Sequence, residues 1–353
     1  MVAPRLIYFK LRTLIAISLI WMIFGVVFFY NLIDVKNDLG VKVSLLRFLI
    51  VFGIIGFLVT GTLIFYLKFA FNHYPLWIGM LIKLALMFFL FILISFLILT
   101  VYYVFIYHRG FQDFTKSFFN KIMETKTFRV FIADLGIMSL LSIILIEVTD
   151  KYGPGMFWSM LRGEYHKPKK ENRIFLFLDI NASTSIAEQL GHEKYFRMLR
   201  DFFNDITVPV LANGGEIYQY VGDEVVVTWI NTSENKIKTL KFIRNTFYLL
   251  KRRDAKYQKR YGLSPEFKAG VHAGEVTAGF IGIIKRDLVY SGDTLNTAAR
   301  IRSMSNELNQ SFILSEDFMH DFHQPYNYEI SEIGKMELKG KEEPIKLFSL
   351  KFD

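Results

Sequence analysis

Two carboxylates stand apart by where the chain puts them. Asp179 closes the apolar run Arg173–Ile180 (RIFLFLDI), and Asp223 follows Gly222 at a hairpin tip between Tyr220-Val221 and Val225-Val226-Val227. Two aspartates at neighbouring strand ends offer hard oxygen ligands to a cation such as Mg²⁺ and leave coordination positions open for phosphate oxygens. Directly after Asp179, Asn181-Ala-Ser-Thr-Ser185 opens a helix, whose free N–H groups suit phosphate as well. Taken singly, each aspartate reads equally well as a turn residue. The chemistry requires a fold that brings both to one edge.

The surrounding pattern supplies such a fold. Arg173–Ile180 reads as a buried strand, and Ser183–Leu211 as a helix with apolar positions Leu199, Phe202, Phe203, Ile206 and Val210, stopped by Gly214-Gly215. Glu216–Val221 and Glu224–Trp229 form a hairpin across Gly222-Asp223, followed by a long helix over Glu234–Tyr261, a strand Phe267–His272 and a further stretch Glu275–Phe280. The order β-α-β-β-α-β is the α+β ferredoxin-like arrangement, in which the first strand and the hairpin are neighbours in one sheet.

Upstream the composition changes. The chain has 353 residues, 52% hydrophobic and 21% charged, and its long Leu/Ile/Phe runs end near Ile146. Uncharged stretches predict an α-helical membrane domain of about four transmembrane helices, over residues 13–33, 48–68, 80–107 and 130–148. The first run is too long for a signal-peptide core and lacks a small-residue cleavage site, so its retention is expected. The fourth is interrupted by Asp134 and Glu147, but parity favours a span: Arg5, Lys10 and Arg12 hold the N-terminus inside, and Lys167, Lys169 and Lys170 place the C-terminal half inside too. Asp134 is expected near a helix end, within reach of headgroups and Arg129. The division is then a membrane anchor over 1–150, a linker or coupling segment over 151–172 beginning at the helix breaker Tyr152-Gly-Pro-Gly155, and a soluble domain over 173–353. A net charge of +9 fits a protein with its basic side toward the cytoplasm of a cell membrane; no nucleic-acid partner is expected. With no Cys, disulfides, thiolate metal sites and Cys nucleophiles are excluded.

Four segments then line up with a known family: FLDI around Asp179, YVGDEVVVTW around Asp223, VHAGEVTAGFIG over Val271–Gly282 and SGDTLNTAARI over Ser291–Ile301. In this order and spacing they resemble the catalytic domain of class III nucleotidyl cyclases, over about Ile174–Leu350. The resemblance implies an enzyme, an adenylate cyclase-type phosphorus-oxygen lyase, that turns ATP or GTP into the 3′,5′-cyclic nucleotide and pyrophosphate as a homodimer with shared sites. It implies that Asp179 and Asp223, with the Ile180 carbonyl, bind two Mg²⁺ or Mn²⁺ ions. Asn296 and Arg300 match the pair that positions the ribose and stabilises the transition state; four residues apart, they share a helix face. Lys339 matches a lysine on the triphosphate. These three would come from the partner chain, and Phe280–Tyr290 matches the dimerisation arm.

At the positions implied to read the base, the chain carries Gln219 and Val289, where ATP-preferring members commonly have Lys with Asp or Thr, and GTP-preferring ones Glu with Cys. An amide both donates and accepts, and valine does neither, so relaxed selectivity is expected, with ATP favoured by the family alone. The alternatives are a catalytically silent, nucleotide-binding membrane receptor, a diguanylate cyclase and a transporter. The intact set Asp179, Asp223, Asn296 and Arg300 argues against the first, the VGDEV hairpin against the second, and the scarcity of intramembrane charge against the third.

Overall fold

The chain divides into two compact units, one over Tyr8–Leu161 and the other over Arg162–Asp353, with which Met1–Ile7 is grouped. The computed structural model describes residues 4–31, 44–67, 70–71, 74–101, 104, 110–152, 159, 162–284, 286–321, 328–338 and 343–352.

In the first unit, helices α1 (Pro4–Asn31), α2 (Leu45–Phe65), α3 (Leu76–Val101), α4 (Phe111–Ser117) and α5 (Lys126–Tyr152) follow one another. Among the described residues, all but α4 are long and apolar enough to cross a membrane, with spans of 21 to 24 residues, or roughly 32–36 Å at about 1.5 Å per residue. The helix starting at Pro4 begins well before the uncharged run at Thr13: proline fits a first turn, and the Arg and Lys that follow are good helix formers. Lys339, residues 32–33, 68, 102–103 and 105–107 of the expected helices, and residues 153–158 and 160–161 of the linker lie outside the described residues.

Helix α5 is longer than its uncharged core because the interrupting charges turn inward. Glu147 meets Lys83 of α3 at 2.8 Å. Asp134 does not sit near a helix end beside Arg129: the helix already begins at Lys126, and Asp134 is 6% exposed, with its Oδ2 lacking a hydrogen-bond partner. Trp21 of α1 donates from Nε1 to Ser142 Oγ of α5 at 2.8 Å, and its ring lies so close to Gly56 of α2 that no Cβ fits there. Ile15, Leu19 and Ile23 stay exposed on the other side of α1. Helix α4 was not evident as an element; it forms because Phe114, together with Phe118 just beyond, packs its ring against Phe96 of α3.

In the second unit a mixed sheet has strand order β2-β3-β1-β4-β6-β8-β7, with β5 paired to β4. Its first strand, β1 (Lys169–Ile180), is followed by α6 (Ser183–Leu190), α7 (His192–Ala212), β2 (Glu216–Val221), β3 (Glu224–Ile230), α8 (Ser233–Tyr261) and β4 (Phe267–Ile281). The long helix expected over Ser183–Leu211 is two helices because Gly191 takes φ +72° between them. The two stretches expected at Phe267–His272 and Glu275–Phe280 are one strand, paired to β1 without a break from Ile180↔Phe267 to Lys169↔Ala278.

Strand β1 is apolar on both faces, and period-2 alternation sorts its side chains. Ile174, Leu176, Leu178 and Ile180 pack with Met198, Phe202, Ile206 and Val210 of α7 and Leu240 and Ile243 of α8. Phe175 and Phe177 face the opposite way, toward Val276, Tyr290 and Ala298. Beyond the βαββαβ core come β5 (Asp287–Ser291), α9 (Asp293–Ser303), β6 (Phe312–Ser315), α10 (Glu316–Met319), β7 (Glu329–Met336) and β8 (Ile345–Lys351); β6 runs parallel to β4, and β8 antiparallel to β6.

Candidate active site

Antiparallel register places the acidic edge. Strands β1 and β3 pair so that Asp179 lies opposite Glu224. The tight turn between β2 and β3, with Gly222 at φ +62°, then sets Asp223 one residue away from that pair. Asp179 and Asp223 are close enough for their carboxyl groups to interact by hydrogen bonding, and Ile180 is the last residue of β1. Asp179, Asp223 and Ile180 are therefore gathered at one edge.

Two charged residues that sequence reasoning missed complete this edge. Glu224 is buried, and Arg302, near the end of α9, reaches both carboxylates: its Nη1 donates to Asp179 Oδ2 at 3.1 Å, and its Nη2 lies 2.6 Å from Glu224 Oε2. A signal for Glu224 was available, since it follows Asp223 and must face the last residues of β1. Arg302 had none, because its reach depends on how α9 crosses the sheet.

Two glycines set that crossing. Gly270 and Gly274 lie four residues apart on β4, hence on one face, and a Cβ at Gly270 would run into the backbone of Arg302 while one at Gly274 would run into Thr294. Thr294 Oγ1 donates to the Glu275 carbonyl at 2.8 Å, fixing the other end of α9.

Burial pushes the Asp179 carboxyl up to about 6; the Arg302 guanidinium opposes the rise, while neighbouring Asp223 and Glu224 add to it. Glu224 is raised by burial too, again against Arg302. On α7, Tyr195 faces the same edge, its phenol raised by burial and by the Asp223 charge. The turn into α6 holds Ala182 at φ +53°, and the first turn of α6 has no side-chain cap, so its N–H groups remain available to an anion.

The remaining expected residues lie elsewhere. Asn296 is exposed on α9, and Arg300, four residues on, has a buried Nη1 without a hydrogen-bond partner. Arg300 and Arg302 are two apart, so they leave the helix in different directions, and only Arg302 touches the acidic edge. Gln219 is exposed just past a bulge in β2, and Val289 sits on β5 opposite Gly279. Their strands meet through the neighbouring rings: Tyr218 and Tyr290 are 5.0 Å apart, and Tyr290 N donates to Tyr218 Oη at 3.3 Å. The Phe280–Tyr290 segment is a hairpin made of the end of β4 and β5, with Ile283 and Ile284 at 98% and 103% exposure.

The family model for the adenylate and guanylate cyclase catalytic domain matches residues 165–351. The chain is similar to adenylate cyclase 2 of Rhizobium meliloti (strain 1021), 35% identical over 211 residues, which are 59% of this chain and 58% of that protein. It is also similar to an adenylate cyclase of Anabaena cylindrica, 24% identical over 181 residues, 50% of this chain and 36% of that one. It thus spans little more than half the length of the first relative and about a third of the second. A solved bacterial light-regulated adenylyl cyclase shares the fold, with a TM-score of 0.53 at 22% identity over 61% of this chain and 62% of that structure. With more than half of its length covered by the family model, the chain belongs to the adenylate and guanylate cyclase catalytic domain family.

Proposed function

We propose that the chain is a membrane-bound nucleotidyl cyclase that converts ATP, and GTP less readily, into the 3′,5′-cyclic nucleotide and pyrophosphate for intracellular signalling. The observation that carries this reading is the pairing of Asp179 with Glu224, which sets Asp179 beside Asp223 at one sheet edge. In the reaction the 3′-oxygen forms a bond to the α-phosphorus, the bond from that phosphorus to the pyrophosphate oxygen breaks, and the hydroxyl proton leaves to solvent.

The donor set fits hard divalent cations. Asp179, Asp223 and Glu224 give three carboxylates against one guanidinium, and oxygen donors suit Mg²⁺ or Mn²⁺. Among the described residues no group of three or more His, Asp or Glu side chains is gathered closely enough to form a complete metal cage. Asp179, Asp223 and the Ile180 carbonyl are assigned to two such ions, which when bound supply charge neutralisation and Lewis acidity. Asn296 and Arg300 on one face of α9 are assigned to the ribose and the developing phosphate charge, and Lys339 to the triphosphate. The partner subunit of a homodimer is assigned to present these three. The bare isoleucines of the β4–β5 hairpin support its role as the arm that joins the subunits.

The four apolar helices support a multi-pass anchor over 1–150, with 151–172 as the coupling segment and the 173–353 domain on the cytoplasmic side, where nucleoside triphosphate is available. ATP is assigned as substrate on the names of the relatives; Gln219 and Val289 give no strong discrimination. The test is the full chain in lipid nanodiscs, incubated separately with ATP and GTP plus Mg²⁺ or Mn²⁺. The expected result is a 3′,5′-cyclic product, faster from ATP, that Asp223→Ala abolishes while its circular dichroism stays unchanged. No cyclic product from either nucleotide defeats the reading.

A further inference from the structure

Most charged clusters of the second unit explain themselves as packing. Asp205 joins α7 to Arg253 and Tyr257 of α8, and Asp201 does the same with Arg260 and Tyr261. Arg302 differs, because one of its two partners, Asp179, is assigned to the divalent cations.

The position of this side chain is fixed from behind. The Arg302 backbone sits against Gly270, where no Cβ fits, so α9 delivers the residue to one place on β4. From there the guanidinium bridges two strands, with Nη1 on Asp179 Oδ2 at 3.1 Å and Nη2 beside Glu224 Oε2 at 2.6 Å. It is 27% exposed at the side chain, and its Nε is buried with no hydrogen-bond partner. The fork thus hydrogen-bonds Asp179 at one end and ion-pairs with Glu224 at the other, whose Oε2 accepts no well-directed hydrogen bond, and its middle is idle. Of the two carboxylates, Glu224 is the more buried, at 12% side-chain exposure against 19% for Asp179. Asp179 is also the one whose carboxyl interacts with that of Asp223 by hydrogen bonding.

We infer that Arg302 is a built-in counter-ion of the acidic edge: it holds Asp179 before metal arrives, gives up Asp179 to the incoming divalent cation while staying on Glu224, and so weakens metal binding. Arg302 is a positioning residue that acts through Asp179 and touches no substrate. The inference rests on the reading that Asp179 and Asp223 hold divalent cations. The physical reason is plain. A fixed positive charge within a few ångströms of a cation site opposes the cation, and a guanidinium bound to a ligand oxygen must be displaced first. Glu224 acts in the opposite sense, by parking the guanidinium away from Asp179 and by adding negative charge.

The test is Mn²⁺ binding to the full chain in nanodiscs without nucleotide, followed by the electron paramagnetic resonance signal of free Mn²⁺. Relative to wild type, Arg302→Gln is expected to tighten binding about tenfold, Arg302→Lys to stay within about twofold because the charge is kept, and Glu224→Gln to weaken it severalfold. The metal-free melting temperature of Arg302→Gln falls at the same time, since the carboxylates repel one another unshielded. A residue that merely braced the fold would weaken metal binding when removed, so unchanged or weaker binding in a folded Arg302→Gln overturns the inference. Should that variant fail to fold, Arg302→Gln placed in the Glu224→Gln background, where no bare Glu224 carboxylate is left, decides: binding tighter than in Glu224→Gln alone supports the inference, and unchanged or weaker binding overturns it. Asp223→Asn separates the two readings. If wild type binds no Mn²⁺ that Asp223→Asn removes, the metal assignment itself fails and this inference with it; if it does, only the comparison with the Arg302 and Glu224 variants is at stake.

Discussion

The guanidinium carbon of Arg173 lies 4.8 Å from the centre of the Tyr290 ring, buried beneath the β4–β5 side of the sheet. Its Nε donates to Glu171 Oε2 at 2.7 Å and its Nη1 to Glu216 Oε2 at 2.9 Å, while Tyr165 Oη donates to Glu171 at 3.2 Å. One side chain therefore joins Glu171 of its own strand to the start of β2 and the end of β5, and Glu171 in turn holds Tyr165. Removing it leaves the buried Glu171 without its main partner. Arg173→Ala is expected to cost about 3–5 kcal/mol in unfolding free energy, and Arg173→Lys less, because the charge stays but the ring stacking and the fork are lost. Thermal or denaturant unfolding of the full chain checks this; equal stability of the alanine variant would show that Glu171 finds water instead.

The acidic edge should respond to pH. Burial pushes the Asp179 carboxyl up to about 6 in the metal-free protein. The protonated form cannot ligate a cation, so metal affinity is lost as pH falls through 6 and levels off above it. Binding at pH 5 is expected to be about tenfold weaker than at pH 7, read by calorimetry. A profile flat from pH 5 to 7 would show that no group titrating near 6 controls metal binding, and that the burial of Asp179 does not hold its carboxyl protonated at pH 5.

Shared sites make a genetic prediction. Asp179→Ala and Arg300→Ala chains should each lose about 100- to 1,000-fold in rate. Mixed heterodimers should regain part of the activity, since one of their two sites keeps both residues. Verified heterodimers as inactive as either parent would mean that each chain builds its own site.

Gly270 carries the geometry of α9. Gly270→Ala is expected to push Arg302 and the end of the helix off β4, costing about 1–3 kcal/mol of stability and lowering kcat more than it raises KM, because Arg300 moves with the helix. A variant with a native melting curve and full turnover would show that the sheet can yield at this point.

Base choice is testable at one position. Adenine presents an acceptor at N1 and guanine a donor, so replacing the two-way amide of Gln219 by a donor favours adenine. Gln219→Lys should raise the ATP:GTP ratio of kcat/KM by about tenfold. No change would place base recognition on other residues.

The parts of the fold that the sequence announces are those with long periodic runs. Arg173–Ile180, the VGDEV hairpin and the helix over Ser233–Tyr261 each carry enough repeat to be read locally. The split seen in Phe267–Ile281 comes from Ala273-Gly274, small residues that look like a turn but are matched residue for residue by β1. Of the strands after α9, β6 has only four residues, too few for alternation to stand out, and the eight of β7 (EISEIGKM) are largely polar and solvent-facing, without an apolar run. Asp179 and Asp223 were legible because they end apolar runs. Arg302 was not, since nothing in its neighbours tells that Gly270 lets α9 come close enough for it to reach them.

In the first unit, the bond between Lys83 and Glu147 limits how its helices can move. Parting them in hydrocarbon would leave two bare charges with neither water nor partner, at a cost far above thermal energy. Helix α5 therefore cannot twist past α3 on its own. The hydrogen bond from Trp21 to Ser142 ties α1 to the same helix, and the Gly56 contact seats α2 against Trp21. Through these contacts α1, α2, α3 and α5 are tied to one another, and a substitution at Lys83 would loosen α3 from α5.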